Sequence, residues 1–215
     1  MSRFLRLPLI TIIIFLLSIT LAACGTVPPA AVTPSIAAPA TQAVTQTGTQ
    51  TITLLDALNG TLTLTVPNGL VTRSDPLAGA ITVATSDVAL SSSPTTFLGA
   101  NEWALDVSAV PTNVAQALVP AGQTVSPQTM IDALKTEMAE TAPQITFSPS
   151  TAVTIGGHSA ARLTGTSPQG EVLLIVVALD SGYIMATSTI SVGQLATYEP
   201  ILTTIITSAT YTPAA

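Results

Sequence analysis

The chain has 215 residues, of which 47% are hydrophobic and 7% charged. A chain of this length fits one domain with attachments, since domains run to about 100–200 residues. Beyond residue 23, three basic residues face eleven acids, a net charge of −8. This acidic excess argues against a nucleic-acid partner and against electrostatic docking to anionic lipid. A single cysteine excludes an intramolecular disulfide and a cysteine zinc cluster.

The N-terminus has the pattern of a secretory signal. Two arginines precede an uncharged, mostly apolar stretch over residues 7–23, which ends in small residues. The run Leu21-Ala22-Ala23-Cys24 resembles the lipobox of bacterial lipoproteins. In that class the thiol receives a diacylglycerol, the chain is cut before the cysteine, and the new amine is often acylated. The alternative is an uncleaved membrane helix, for which 17 residues are short against the roughly 20 required.

The sequence therefore predicts a signal peptide over residues 1–23 and a lipid anchor on Cys24, at the extracytoplasmic face of the cell membrane. Residues 24–50 are rich in Pro, Thr and Ala and carry no charge. Such low-complexity sequence cannot bury a core, so we predict a disordered tether. Residues 51–215 remain as the folded domain.

Strand patterns dominate the first half of this domain. Thr alternates with Leu and Val over residues 61–66, which predicts a half-buried strand. Pro67-Asn68-Gly69 follows with turn chemistry. Further strands are predicted over residues 80–90 and 103–110.

One amphipathic helix is predicted after these strands. Ser126 suits the N-cap and Pro127 the first helical position, while Pro143 closes the helix. Four apolar side chains fall on one face: Met130, Ile131, Leu134 and Met138. Charged side chains fall on the other: Asp132, Lys135, Glu137 and Glu140.

The second half predicts a three-stranded meander over residues 158–191 and a last helix over 194–208. The run 172–179 is continuously apolar, which is typical of a central strand covered on both faces. Pro200 either kinks the last helix or marks its start. The turns fall at Ser167-Pro168-Gln169-Gly170 and Asp180-Ser181-Gly182. These elements predict an α+β fold, an antiparallel sheet with helices on both faces.

Two segments carry a resemblance to a known family. Residues 59–69, NGTLTLTVPNG, resemble the opening of PsbP-like domains, although Leu70 stands where that family usually has Trp. Residues 157–162, a hydrophobic hairpin and residues 198–200 resemble the end. The chain is also similar to small lipoproteins of filamentous phototrophic bacteria that carry such a domain. The resemblance covers roughly residues 55–212 and implies an α/β/α sandwich. It also implies a binding or assembly role without catalysis, since PsbP is an extrinsic subunit of photosystem II.

Few residues could support catalysis. His158 is the sole histidine, and without a Gly-x-Ser-x-Gly elbow we expect a strand residue with a polar partner rather than a triad member. Glu137 and Glu140, with Asp132 nearby, are expected on a solvated helix face, and Lys135 in surface ion pairs. Trp103 is expected in the core.

The sequence thus predicts no catalytic site, metal or cofactor. It is compatible with a protein partner in the cell envelope. Two other functions stay open. One is a structural or adhesive β-sandwich on a stalk, and the other is a hydrolase with an unrecognised site.

Overall fold

A computed structural model of the chain describes residues 48–56, 60–91 and 98–214. The predicted signal peptide, Cys24 and nearly all of the predicted tether lie outside the described residues. The elements in chain order are β1 (Thr49–Asp56), β2 (Gly60–Pro67), β3 (Val71–Asp75), β4 (Ala80–Ala84), α1 (Asp87–Leu90), β5 (Trp103–Pro111), α2 (Thr112–Leu118), α3 (Pro127–Thr141), β6 (Thr146–Phe147), β7 (Thr151–Ile155), β8 (His158–Ser167), β9 (Gly170–Leu179), β10 (Gly182–Ile190), α4 (Leu195–Thr207) and β11 (Thr210–Pro213).

The strands form two antiparallel sheets. The larger one has the order β3-β4-β5-β10-β9-β8-β6, with β7 also paired to β8. The smaller one has the order β1-β2-β11. The predicted meander is confirmed as β8-β9-β10, joined by the two predicted turns.

Strand β9 explains how the layers are arranged. Residues 172–177 are all buried, because both faces of this interior strand are covered. Leu173 and Ile175 pack in one core with α4 and the smaller sheet, and α3 packs against β8 and β9 on the opposite face. The α+β class, an antiparallel sheet with helices on both faces, is therefore confirmed.

The predicted N-terminus of α3 is also confirmed. Ser126 Oγ accepts a hydrogen bond from the backbone N–H of Thr129, and Thr129 Oγ1 accepts one from the N–H of Ser126. This reciprocal capping box satisfies two donors that the first helical turn leaves unpaired. Met130, Ile131 and Leu134 are buried, as their shared face predicts.

Two predictions need revision. The strand predicted over residues 80–90 is wrong beyond Ala84, because Ser86 turns the chain and caps the short helix α1 by accepting the N–H of Ala89 at 3.0 Å. Pro200 lies inside α4 and does not mark its start. Strand β1 was not predicted, and it begins at Thr49.

Among the described residues, no helix combines the length and apolarity needed to cross a membrane.

Candidate functional site

The histidine lies at a strand end in solvent. His158 begins β8, opposite Ile155 of β7, and its side chain is exposed, as is that of Ser159. Among the described residues it bonds neither to a serine hydroxyl nor to a carboxylate, so the polar partner expected for it is not found. His158 is instead exposed at the end of the β7–β8 hairpin.

The polar groups of α3 tie the helix to the segment that follows it. Lys135 Nζ donates to the carbonyl oxygen of Ser148 at 2.9 Å, so the surface ion pairing expected for Lys135 is wrong. Asp132 accepts from Ser150 Oγ at 2.6 Å and from Gln128 Nε2 at 3.2 Å. These hydrogen bonds hold α3 against the segment that follows it.

No group of three or more His, Cys, Asp or Glu side chains in the described part of the chain could hold a metal ion.

The tryptophan is part of the core, as predicted. Trp103 is 1% exposed, and its ring centroid lies 6.3 Å from that of Tyr198 in α4. The Tyr198 hydroxyl donates to the carbonyl oxygen of Asn101 at 2.9 Å. Partial burial raises the pKa of Tyr198. Trp103 thus packs α4 against the sheet rather than presenting a face for a ligand.

A row of polar side chains crosses the larger sheet on its α3-facing side. Arg73 of β3 lies opposite Thr82 of β4, Thr82 opposite Asp106 of β5, and Asp106 opposite Thr187 of β10. We call these four residues the Asp106 row. The next residue across the sheet is Leu174 of β9, which is buried. This face of the larger sheet is therefore apolar where α3 covers it and polar along the Asp106 row, which lies outside that helix.

Asp106 is the one acid of this row, and its pKa is shifted. It is half-buried, and Thr82 Oγ1 donates to its Oδ1 at 2.6 Å. Burial raises the pKa of Asp106, while the Thr82 hydrogen bond and the positive charge of Arg73 oppose that rise. Arg73 itself is exposed, and its Nη2 donates to the carbonyl oxygen of Leu90 at the end of α1. A desolvated carboxylate beside donors is a feature of binding sites as well as of structural networks.

Helices bound the Asp106 row on three sides. Helix α1 packs on β4 and β5 near Ala84 and Ala104, α2 follows the far end of β5 and contacts β5 and β10, and α3 covers β8 and β9. The row can offer the Asp106 carboxylate, the Thr187 hydroxyl and the Arg73 guanidinium to a polar partner, whereas Thr82 is buried and its hydroxyl is bonded to Asp106. The row was not predicted from the sequence, although an acid at the centre of a predicted strand, between Leu105 and Val107, was a usable signal.

Comparisons with known proteins found similar solved structures. No family model and no curated protein matches the chain. The chain is similar to the solution structure of cyanobacterial PsbP (CyanoP) from Synechocystis sp. PCC 6803, with a TM-score of 0.46 and 12% identity over 81% of this chain and 98% of that one. It is also similar to the crystal structure of a protein of unknown function from Pseudomonas aeruginosa, with a TM-score of 0.39 and 16% identity over 77% of this chain and 99% of that one.

Proposed function

We propose that this chain is a lipoprotein, anchored by lipid on Cys24 to the extracytoplasmic face of the cell membrane, whose α+β domain binds a protein partner in the cell envelope without catalysis. The lipid anchor is supported chiefly by the position of the only cysteine, which directly follows the small residues that end the apolar stretch. Each buried CH₂ contributes about 0.8 kcal/mol, and two or more acyl chains hold a protein stably on a bilayer.

A binding role is supported by what the domain offers at its surface. The Asp106 row gives a polar face bounded by helices, with a carboxylate whose pKa is raised by burial. The tether predicted over residues 24–50 would let the domain stand roughly 25–30 Å from the bilayer as a flexible coil, and thus reach a partner. The resemblance to PsbP-like domains implies a role of the same kind.

Replacing Cys24 tests the anchor. We expect Cys24→Ala to lose the lipid and to leave the membrane, or to retain its uncleaved signal, because the thiol is the acylated atom. Detergent phase partition and the intact mass of the purified chain measure both outcomes. Thr26→Ala is the matched control, since it changes the same region without touching the cysteine. A wild-type chain that carries no lipid and enters the aqueous phase would contradict the proposal.

Co-purification after cross-linking in intact cells tests the binding role. We expect a partner in near-stoichiometric yield with the wild-type chain, and a yield reduced about tenfold in Asp106→Asn, because that variant removes the only negative charge of the row. Asp180→Asn is the control, since Asp180 is exposed in the β9–β10 turn and its loss changes the net charge equally. Equal recovery from the two variants would remove the Asp106 row from the proposal.

A further inference from the structure

One oxygen of the Asp106 carboxylate is left without a donor. Thr82 Oγ1 donates to Oδ1 at 2.6 Å, and no group in the described part of the chain donates to Oδ2. Gln169 Oε1 is the one side-chain oxygen or nitrogen there that is both buried and without a partner. Oδ2 of Asp106 is therefore reached by solvent, although the residue as a whole is half-buried.

The cations of this chain are all bonded to other oxygens. Beyond residue 23 there are three basic residues, and all three lie in the described part of the chain. The contacts are Arg73 with the Leu90 carbonyl, Lys135 with the Ser148 carbonyl, and Arg162 with the Glu199 carboxylate. A cationic side chain that binds Oδ2 therefore has to come from another molecule.

The residues next to Asp106 on this face of the sheet have short side chains. Thr82 and Thr187 lie opposite it on the two neighbouring strands, and Ser108 follows two residues along β5. Ala80 lies opposite Ser108 on β4. Alternate residues of a strand share a face, so all of these lie on the side of Asp106. Short side chains leave the carboxylate in a recess of the sheet surface between α1, α2 and α3.

Two hydroxyl oxygens beside Asp106 can accept hydrogen bonds as well. Thr187 is half-buried, and its hydroxyl has no partner within the described part of the chain. Ser108 Oγ donates to the carbonyl oxygen of Met185 at 3.5 Å and keeps its own lone pairs. With Oδ2 they make three acceptors, which is the number of donors on a lysine ammonium.

This arrangement suits lysine better than arginine. Where the chain binds a guanidinium, at Glu199, both carboxylate oxygens accept from Arg162. At Asp106 one of the two oxygens already accepts from Thr82, so a guanidinium cannot bind both without sharing it. An ammonium is a compact charge on a slim stem, and one carboxylate oxygen is enough for it.

Charge favours a basic partner over a second copy of this chain. Beyond residue 23 the net charge is −8, which attracts basic surfaces and repels another copy. The local charge has the same sign. Asp75 of β3 lies opposite Ala80, on the face of Asp106, so two acids there outnumber Arg73.

We infer that the partner places a lysine side chain beside Asp106, where the ammonium donates to Oδ2 and to the hydroxyls of Thr187 and Ser108. The inference rests on the proposed binding role and specifies the contact that the Asp106 row makes.

Zero-length cross-linking tests this contact. A carbodiimide activates a carboxyl group as an O-acylisourea, a touching lysine amine attacks its carbonyl carbon, and a urea leaves as the amide forms. We expect carbodiimide treatment of native membranes, followed by digestion and mass spectrometry, to give a peptide that joins Asp106 to a lysine of another protein. The only lysine of this chain is Lys135, so an Asp106–Lys135 product in place of that peptide would overturn the inference.

Three variants make the test quantitative. Asp106→Asn keeps an acceptor for Thr82 but cannot be activated, so the product should fall to background, by about tenfold or more. Thr187→Val keeps the shape of the side chain and removes one acceptor, so the yield should fall about threefold. Thr210→Val, on the exposed side of β11, is its matched control and should leave the yield unchanged. Circular dichroism checks that each variant is folded.

Formaldehyde, which does not require a carboxyl group, separates failure of this contact from failure of the binding role. A partner captured equally from wild type and Asp106→Asn refutes the lysine contact and leaves the binding role standing. A partner lost in Asp106→Asn but never joined to Asp106 by carbodiimide indicates arginine and also refutes it. If neither reagent captures a partner, the contact and the binding role are both wrong.

Discussion

At the scale of single residues, the Asp106 row shows how a carboxylate is kept inside a sheet face. Desolvation is the dominant influence on Asp106 and disfavours its charge, while the hydrogen bond from Thr82 and the charge of Arg73 offset part of that penalty. The side chain is hydrogen-bonded but still costly to ionise. The contribution of Asp106 to the free energy of unfolding should therefore depend on pH.

The raised pKa of Asp106 gives a signed prediction. In the folded chain this pKa is above its ordinary value of 3.8, so the folded state holds the proton more tightly than the unfolded state. The free energy of unfolding therefore falls as pH rises from the ordinary pKa through the raised one. Asp106→Asn keeps an acceptor for Thr82 and has no charge to bury. Its free energy of unfolding relative to wild type should therefore increase from pH 3 to pH 7, by about 1 kcal/mol or less.

Urea unfolding of the two chains at both pH values measures this change. Every other acid titrates in both chains, so the difference between them isolates Asp106. Thr210→Ala is the control, since Thr210 is exposed and has no titratable group, so its substitution should leave the difference flat. A relative stability that decreases from pH 3 to pH 7 would mean that Thr82 and Arg73 outweigh desolvation.

At the scale of elements, the sequence predicted what local rules determine. Ser126 and Pro127 start α3 because capping is decided within one turn, and the run 172–179 is a covered strand because its apolar content leaves no solvent face. The fold class follows from such elements. Residues 85–90 were misassigned because apolar residues resume at Val88-Ala89-Leu90, and the capping role of Ser86 before them was overlooked.

The Asp106 row and strand β1 were harder to predict, because they depend on which strands become neighbours. Asp106 lies 24 residues after Thr82 in the sequence, and it meets Thr82 and Arg73 through the order β3-β4-β5, which no periodicity encodes. Strand β1 was missed because its TQT opening continues the composition of the tether. It becomes a strand by pairing with β2, and it is an edge because β11 takes the other side.

At the scale of the whole molecule, charge is scarce and almost all of one sign. Eleven acids face three basic residues beyond residue 23, and Arg162–Glu199 is the ion pair found among the described residues. Arg162 donates to both carboxylate oxygens of Glu199 and so joins β8 to α4. The remaining acids have no cation close enough to pair with in the described part of the chain. Folding therefore brings like charges together with little compensation.

This imbalance predicts that salt stabilises the fold. Raising NaCl from about 10 mM to about 300 mM shortens the Debye length from roughly 30 Å to under 10 Å, which screens repulsion between exposed acids. Thermal unfolding followed by circular dichroism should show a rise in Tm of a few degrees. A double variant that removes two exposed acids, Asp180→Asn with Glu140→Gln, should start from a higher Tm at low salt and gain less from NaCl. A Tm that falls as salt is added would show that attraction, as in the Arg162–Glu199 pair, outweighs the summed repulsion of the acids.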